Sequence, residues 1–228
     1  ENNLSDKMLD ERWRRWEKCS LCEQQYHGVV RCAMGWACWK TYVGRPEADW
    51  ARLSAMTRLG NGLSAAKHDE DALIVQEAEY SIQRRLGAPE YDMLVSQTNL
   101  ATSYSLTGRH QEALRMRRDV YSGNLKLFGE GNHQTFSAAI NYALSLVVLR
   151  RFEEAKSLLR KTIPVARRVL GESHELTLIM RGNYAKALYK DPSATLDHLR
   201  EAVSTFEDME PIARRVLGGA HPLTVQIE

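Results

Sequence analysis

Apolar and small residues recur along this chain at helical spacing, in blocks that repeat about every 42 residues. The first clear block predicts a helix from about Met93 to Leu106, which Gly108 ends. Its predicted buried face consists of Val95, Leu100, Ala101 and Tyr104. A second helix is predicted from about His110 to Leu127, and Gly129 ends it because glycine accepts a left-handed backbone. No stretch shows sustained alternation of apolar and polar residues, so strands are not predicted.

Three sequence markers keep one register and define the repeat. Pairs of a large apolar residue and glycine end at Gly87, Gly129, Gly171 and Gly218, with spacings of 42, 42 and 47 residues. Asparagine, followed by a large apolar or aromatic residue and then alanine, recurs at Asn99, Asn141 and Asn183. Glu-Ala pairs end at Ala113, Ala155 and Ala202. The predicted units are therefore 46–87, which is degenerate, 88–129, 130–171, 172–218 and the start of another at 219–228, preceded by a separate segment, 1–45.

Several positions inside the repeats predict local features. Pro164 and Pro211 lie inside second helices, where proline removes a backbone donor, so a kinked or split helix is predicted at each. The sequence 60–62, Gly-Asn-Gly, is predicted to be a turn rather than a phosphate-binding loop, since no lysine follows. Threonines recur six residues after the repeat glycines and are predicted to help start the next helix: Thr135, Thr177 and Thr224.

Histidines recur in the predicted turns, at His133, His174 and His221. We interpret them as capping or packing residues rather than as ligands or bases. Three histidines about one repeat apart in sequence are expected to lie about one repeat apart in space, which is too far to share a metal ion.

The positions Leu100-Ala101, Tyr104, Gly108 and Ala113 resemble the small-residue pattern of tetratricopeptide repeats. The repeat length and the turn that runs from Leu170 through His174 to Leu178 are more specifically similar to kinesin light chain repeats. The resemblance covers about residues 50–228. It implies an all-α fold, a right-handed α-solenoid of antiparallel helix pairs, preceded by an N-terminal helical segment that contains cysteines.

The resemblance also implies a concave groove, lined by the first helix of each pair, in which an extended peptide lies. In that family the recurring asparagine contacts the peptide backbone, which places Asn99, Asn141 and Asn183 at the groove. The alternative is that these side chains satisfy backbone groups of a neighbouring helix. The groove positions around them are Thr102, Ser105, Leu144, Val147, Val148, Lys186 and Lys190. An apolar middle with Lys186 and Lys190 at one end would suit an amphipathic peptide with an acidic portion.

The charge balance removes several functions from consideration. The chain carries 31 basic and 29 acidic residues, a net charge of +2, which gives no electrostatic reason to expect nucleic acid or a membrane surface as partner. No apolar run approaches the roughly 20 residues that cross a bilayer, and 138–149 is interpreted as a buried helix. No nucleotide-binding loop, nucleophile elbow or His-Glu-x-x-His motif is present, so the chain is predicted not to be an enzyme.

Four cysteines, Cys19, Cys22, Cys32 and Cys38, cluster near the start of the chain. Without a signal peptide this clustering indicates an intracellular protein, cytoplasmic or nuclear, and zinc as a possible cofactor. Cys19 and Cys22 have the Cys-x-x-Cys spacing that lets two thiolates on a tight turn reach one ion. The candidates for the remaining ligands are His27, Cys32 and Cys38. Structural thiols and a redox pair are the alternatives for Cys19 and Cys22.

Trp16, followed shortly by Cys19-x-x-Cys22, resembles the last ligand pair of a RING-CH zinc finger. That resemblance implies that the other ligands precede Glu1, that Cys32 and Cys38 pack in a helix, and that the whole protein is a ubiquitin ligase.

The leading hypothesis is a non-catalytic module that binds a peptide or partner protein in the concave groove. The alternatives are the substrate-binding part of a RING-CH ubiquitin ligase and a structural subunit of a larger assembly.

Overall fold

The computed structural model of this chain describes residues 13–227, so the first twelve residues of the predicted N-terminal segment lie outside the described part. The helices are α1 (Gly28–Tyr42), α2 (Trp50–Ala65), α3 (Asp69–Leu86), α4 (Glu90–Leu106), α5 (His110–Phe128), α6 (His133–Val148), α7 (Phe152–Leu170), α8 (Glu175–Tyr189), α9 (Leu196–Leu217) and α10 (Pro222–Ile227). No strand forms within the described residues, although an isolated antiparallel bridge joins Lys18 and Gln25. The predicted all-α fold is confirmed.

The chain divides into two compact units, residues 1–109 and 110–228. The division falls between α4 and α5, the two helices of the predicted repeat 88–129. The boundary predicted at residues 45 and 46 stays a prediction. Within the described residues, none of the helices combines the length and hydropathy that a membrane crossing requires.

In the first unit, each helix from α1 to α3 packs against the next one along the chain, and α2 also touches α4. The core between α1, α2 and α3 contains Leu59, Leu63 and Ala72, with Cys32 and Trp39 packed against them. Two glycines set the crossing of α1 and α2. A Cβ at Gly35 would lie 2.8 Å from the Arg58 carbonyl oxygen, and a Cβ at Gly62 would lie 2.8 Å from the Arg31 carbonyl oxygen. The two backbones therefore approach closely because neither position has a side chain.

In the second unit, consecutive helices from α5 to α10 pack side by side, and α6 also contacts α8. The main core joins α6, α7, α8 and α9 through fully buried residues such as Phe136, Leu159, Met180 and Leu188. Alanines that are also fully buried let the helices approach: Ala139, Ala143, Ala166 and Ala185. The interpretation of residues 138–149 as a buried helix is confirmed, since most of α6 is buried.

Both internal prolines lie in unbroken helices, so the prediction of a split helix is wrong. Helix α7 runs through Pro164 and α9 runs through Pro211. Each proline is on the exposed side of its helix, while neighbours such as Ile163 and Met209 are buried in the core. Tertiary packing on both sides of the proline holds the helix together despite the missing backbone donor.

Two further sequence interpretations are wrong. Residues 60–62 are not a turn but lie inside α2, where Gly60 and Gly62 are buried and allow close contact with Gln76 and Arg31. Val95 is not buried but 40% exposed, because it faces an open pocket rather than the core.

The inter-repeat turns are capped by residues other than the threonines. Asn132 accepts a hydrogen bond from the Gln134 N–H at 2.8 Å, and His174 Nδ1 accepts one from the Leu176 N–H at 3.2 Å. His221 does the same for Leu223, so the predicted capping role of the turn histidines is confirmed at two positions. Thr135 instead donates to the Gly129 carbonyl at 2.7 Å and thereby fastens the end of the preceding helix.

The turn histidines are closer in space than their sequence spacing predicts. The rings of His133 and His174 are 6.3 Å apart, centroid to centroid, and meet edge to face. These two rings are therefore closer than the predicted separation of about one repeat, whereas the prediction that the three turn histidines do not share a metal ion stays a prediction. Repeat packing in the second unit brings consecutive turns side by side, so equivalent positions become neighbours.

Candidate functional site

Helices α6 and α8, the first helices of two consecutive repeats, lie against each other and present equivalent positions 42 residues apart. We call this set the α6–α8 surface, and it consists of Asn141 and Asn183, Leu144 and Lys186, and Val148 and Lys190. Val148 is 54% exposed, Leu144 is half-buried and Lys190 is exposed. The surface thus combines an apolar part on α6 with a basic part on α8.

The two lysines give this surface its charge. Burial, and then the neighbouring Lys190 ammonium group, lower the pKa of Lys186. Within the described residues neither Lys186 nor Lys190 forms an ion pair with a carboxylate. An acidic group from a partner would relieve the repulsion between them, because opposite charges within a few ångströms favour the charged form of each lysine.

The three predicted asparagines occupy different environments. None of their side chains hydrogen-bonds to a neighbouring helix within residues 13–227. Asn141 is half-buried, and its backbone oxygen accepts a hydrogen bond from Arg117 at 3.3 Å. Asn183 is 8% exposed, and its Nδ2 atom is buried without a partner, so a peptide would reach that atom only if neighbouring side chains moved.

Asn99 belongs to the first unit and lines a polar cavity of about 370 Å³. The amide side chains of Asn61 and Gln76 and the hydroxyl of Thr102 also line it. Gln76 donates weakly to Asn61 at 3.4 Å, whereas its own Oε1 atom is buried without a partner. The cavity therefore offers amide donors and acceptors of the kind that a peptide backbone uses.

A larger pocket of about 680 Å³, also in the first unit, does not follow from any sequence motif. We call it the α2–α4 pocket, and its lining includes Trp13, Trp50, Leu53, Glu79, Gln83 and Val95. Glu79 is 2% exposed, and burial raises the pKa of its carboxyl group to about 7 although Thr57 donates a hydrogen bond to it. A signal is present in the sequence, because helical spacing from Ala72 places polar residues on the core-facing side of α3: Gln76, Glu79 and Gln83.

Cys19 and Cys22 lie on a tight turn. The Cys19 N–H donates to the Gln24 carbonyl at 2.9 Å, and the Glu23 N–H donates to the Cys19 carbonyl at 3.0 Å. Backbone N–H groups of Cys22 and Leu21 donate to the Cys19 sulfur, and these bonds, followed by the Cys22 thiol, lower the pKa of Cys19. Glu23 has φ of 56°, a conformation that lets the turn close directly after the second cysteine. Such a turn suits thiolate ligands, since its N–H groups stabilise the negative sulfur.

The other candidate ligands do not join this turn. Within residues 13–227 no group of three or more His, Cys, Asp or Glu side chains could hold a metal ion. Cys38 is fully buried in α1, and burial raises the pKa of its thiol to about 11. Cys32 packs against the core of the first unit. Of the candidate ligands, the described residues bring only Cys19 and Cys22 together, whereas a structural zinc site requires four, so the fit to zinc is partial.

Comparison with known proteins agrees with this architecture. Two consecutive stretches, residues 93–134 and 135–175, match the family model of the tetratricopeptide repeat. Residues 93–175 therefore consist of two tetratricopeptide repeats. None of the curated proteins compared with it matches.

Solved structures show the same fold. One is from Podosopora anserina and is described as a kinesin light chain with nearly identical TPR-like repeats. It superposes with a TM-score of 0.66 at 20% sequence identity, and the match covers 82% of this chain and 85% of that one. Another, BtubC (BKLC) from P. vanneervenii, has a TM-score of 0.62 at 13% identity and covers 86% of each chain. The fold is thus similar to that of kinesin light chain repeats, and the tetratricopeptide fold is typical of non-catalytic interaction scaffolds.

Proposed function

We propose that this chain is a non-catalytic module that binds a partner protein through a peptide segment lying on the first helices of its repeats. The observation that carries the proposal is the α6–α8 surface, where two helices that pack together carry exposed Val148 on one and Lys186 and Lys190, which have no acidic partner in the described residues, on the other. Apolar area beside positive charge suits a partner that supplies apolar contact and carboxylates, because complementary charges steer the partner and fix its register.

The chemistry of the surface specifies the partner segment. Leu144 and Val148 provide apolar contact, and the two ammonium groups provide the counter-charge for Asp or Glu side chains. The half-buried amide of Asn141 can donate to and accept from a peptide backbone. The preferred ligand is therefore an amphipathic peptide with an acidic portion. In the first unit, Asn99 in its polar cavity offers a separate site for a peptide backbone.

The experiment is a selection of short random peptides displayed on phage, followed by affinity measurement on the selected peptides. We expect acidic residues next to large apolar ones to be enriched. The double variant Lys186→Glu/Lys190→Glu should weaken binding at least about 10-fold, because it replaces attraction by repulsion. The matched control is Lys126→Glu/Lys161→Glu, which changes the net charge equally but on the exposed sides of the second helices α5 and α7.

The asparagine variants test the backbone contacts separately. Asn99→Ala and Asn141→Ala should each weaken peptide binding several-fold while helical circular dichroism stays unchanged. Asn183→Ala should have a smaller direct effect, because little of that side chain is accessible. If the charge-reversal variant and its control bind equally well, the α6–α8 surface is not the binding site. A self-associating chain that selects no peptide would favour the alternative of a structural subunit.

We propose in addition that Cys19 and Cys22 are two ligands of a zinc ion, which is the second candidate role and the basis of the ubiquitin ligase alternative. The turn that stabilises the Cys19 thiolate supports it. Zinc should protect Cys19 and Cys22, but not the half-buried Cys32, from alkylation by iodoacetamide, and cobalt should give thiolate charge-transfer absorption that Cys22→Ser removes. Equal alkylation with and without zinc would contradict this role and leave the ligase alternative without support.

A further inference from the structure

The α2–α4 pocket contains a buried acid with no counter-ion. Glu79 Oε1 accepts hydrogen bonds from Thr57 Oγ1 at 2.6 Å and from Gln83 Nε2 at 3.2 Å. Within the described residues Glu79 forms no ion pair, and its second carboxylate oxygen accepts no hydrogen bond. A buried carboxylate is normally paired with a cation, because desolvation of a lone charge is costly.

A second polar atom in the same pocket also has no partner. Gln83 is 7% exposed, and its Oε1 atom is buried without a hydrogen bond. Gln83 and Glu79 lie one helical turn apart on α3 and both line the pocket. Glu79 and Gln83 thus each provide an acceptor without a donor on the same wall of the pocket, and together they fit a ligand group that carries several N–H donors once the Gln83 side chain rotates to turn Oε1 toward the ligand.

The rest of the lining suits a positively charged group on an apolar stem. Trp50 is 52% exposed and its ring lies 5.0 Å from that of Trp13, while Leu53 and Val95 add aliphatic walls. The face of an indole ring attracts cations, and its area packs against an alkyl chain.

Two other charged groups line the pocket, one from each remaining helix. Arg58 of α2 forms an ion pair with Glu17 and lies over the Trp13 ring at 4.8 Å, so its charge is already matched. Asp92 of α4 adds negative charge at the pocket. With Glu79, the pocket lining therefore carries two acidic residues and one arginine, and Glu17 already pairs with that arginine.

We propose that the α2–α4 pocket binds an organic ammonium group, with Glu79 as its counter-ion, Gln83 Oε1 as an acceptor and Trp50 against its alkyl stem. The group comes either from a lysine side chain of a partner protein or from a free alkylamine. The site lies in the first unit and does not depend on the α6–α8 surface of the second unit, so each can fail without the other.

The binding should depend on pH. Burial raises the pKa of Glu79 to about 7, so a proton competes with the ammonium group below that value. The apparent affinity should fall by at least about 10-fold between about pH 8 and about pH 5. Asp92 and Arg58 are the other charged residues that line the pocket.

The test is a titration of the full chain with n-pentylammonium and with Nα-acetyl-lysine N-methylamide, followed by tryptophan fluorescence. All five tryptophans lie in the first unit, and Trp13 and Trp50 line the pocket. Pentanol and the Nε-acetylated lysine derivative are the neutral counterparts of the two probes. We expect saturation on the order of millimolar concentration for both amines and none for the neutral compounds.

Glu79→Gln keeps the size and the Thr57 contact of the side chain but removes its charge, and it should weaken amine binding at least about 10-fold. Glu70→Gln is the matched control, since Glu70 is exposed in the first turn of the same helix, and it should leave binding unchanged. Unaltered binding to Glu79→Gln, or no saturable binding of either amine, would overturn the proposal. A lysine derivative that binds more tightly than pentylammonium identifies a partner side chain as the source, whereas equal or weaker binding identifies a free amine.

Discussion

Glu79 couples the stability of the first unit to pH through a single buried carboxyl group. The folded state raises its pKa from the ordinary value of 4.5 to about 7, because burial disfavours the charged form. A raised pKa means that the folded state binds the proton more tightly. The contribution of Glu79 to the stability of the first unit is therefore fully present below about pH 4.5, and it is lost as the pH rises through about 7.

Glu79→Gln should therefore make the first unit more stable at about pH 8, by up to about 3 kcal/mol, and equally stable at low pH. Urea unfolding followed by tryptophan fluorescence at the two pH values measures the difference. Glu70→Gln provides the control and should follow the wild type at both values. A Glu79→Gln variant with unchanged stability at about pH 8 would show that Glu79 is not desolvated in the folded chain.

Lys156 is a fully buried cation whose two acidic partners differ in burial. Its Nζ atom lies 3.0 Å from Asp191, which is almost completely buried, and also contacts Glu153, which is 74% exposed. Asp191→Asn should cost about 3 kcal/mol of unfolding free energy, because it removes the buried partner of a buried charge. Glu153→Gln should cost less than about 1 kcal/mol. Urea unfolding followed by far-ultraviolet circular dichroism measures both, and equal effects would contradict the argument.

The same pair shows what the sequence can and cannot predict at this scale. Residues 191–193, Asp-Pro-Ser, are of the types that favour a turn, and Asp191 does accept hydrogen bonds there, from the Ser193 N–H and hydroxyl. These bonds, together with Lys156, lower the pKa of Asp191 to about 2, so its stabilisation is present above its ordinary pKa of 3.8 and is lost as the pH falls through about 2. The partner 35 residues away is set by helix packing, which no local pattern reveals.

Helices α1 and α2 cross closely at two positions that are occupied by glycine. A methyl group at Gly35 or Gly62 would meet backbone atoms of the other helix at 2.8 Å, and backbone atoms cannot rotate away as a flexible side chain can. Gly35→Ala and Gly62→Ala should each destabilise the first unit by about 1–3 kcal/mol, even though alanine favours helix formation.

Gly44→Ala is the control for this crossing, because nothing lies within 4 Å of the position that its Cβ would take. It should be neutral within about 0.5 kcal/mol. Tryptophan fluorescence during urea unfolding gives all three values. If Gly35→Ala and Gly44→Ala are equally harmless, the two helices cross less closely than described.

Helices are predictable where the repeat keeps its register, and less so where packing decides. The predicted end of the second helix in unit 88–129 lies within one residue of its observed end at Phe128, because Gly129 marks it. The prediction of a turn at Gly60 and Gly62 is wrong, because glycine occurs both in turns and at close helix crossings and the sequence does not distinguish the two. The prediction of a split helix at Pro164 is wrong because its exposed position cannot be seen in the sequence, whereas the alternative of a kink stays a prediction.

At the scale of the whole chain, the fold follows from repetition, whereas the candidate sites do not. Three markers in one register identify the repeats, and that inference needs no knowledge of any single contact. The α2–α4 pocket, by contrast, depends on residues from three helices and from Trp13, which only the folded chain brings together. The polar residues on the core-facing side of α3 can be recognised in the sequence, but the sequence does not show that they line a cavity.

The predicted repeats divide the chain at residue 130, whereas the compact units divide it at residue 110. The stabilities of fragments cut at the two places show which division is the energetic one. Residues 110–228 include α5, whose Leu114 is buried against Leu146 and Val147 of α6. A cut at residue 130, the predicted repeat boundary, removes α5 and exposes that contact. Fragment 110–228 should fold alone, with helical circular dichroism and cooperative unfolding, because its main core lies within its own helices.

Fragment 130–228 should be less stable than 110–228 by about 2–4 kcal/mol, since loss of α5 removes buried side chains from the α6 surface. Urea unfolding of the two fragments, each followed by circular dichroism, gives the comparison. Equal stability would mean that the repeat boundary is also the energetic boundary, so that α5 contributes little to the second unit. An unfolded 110–228 would show instead that this unit needs the helices before it, against the division of the chain at Arg109.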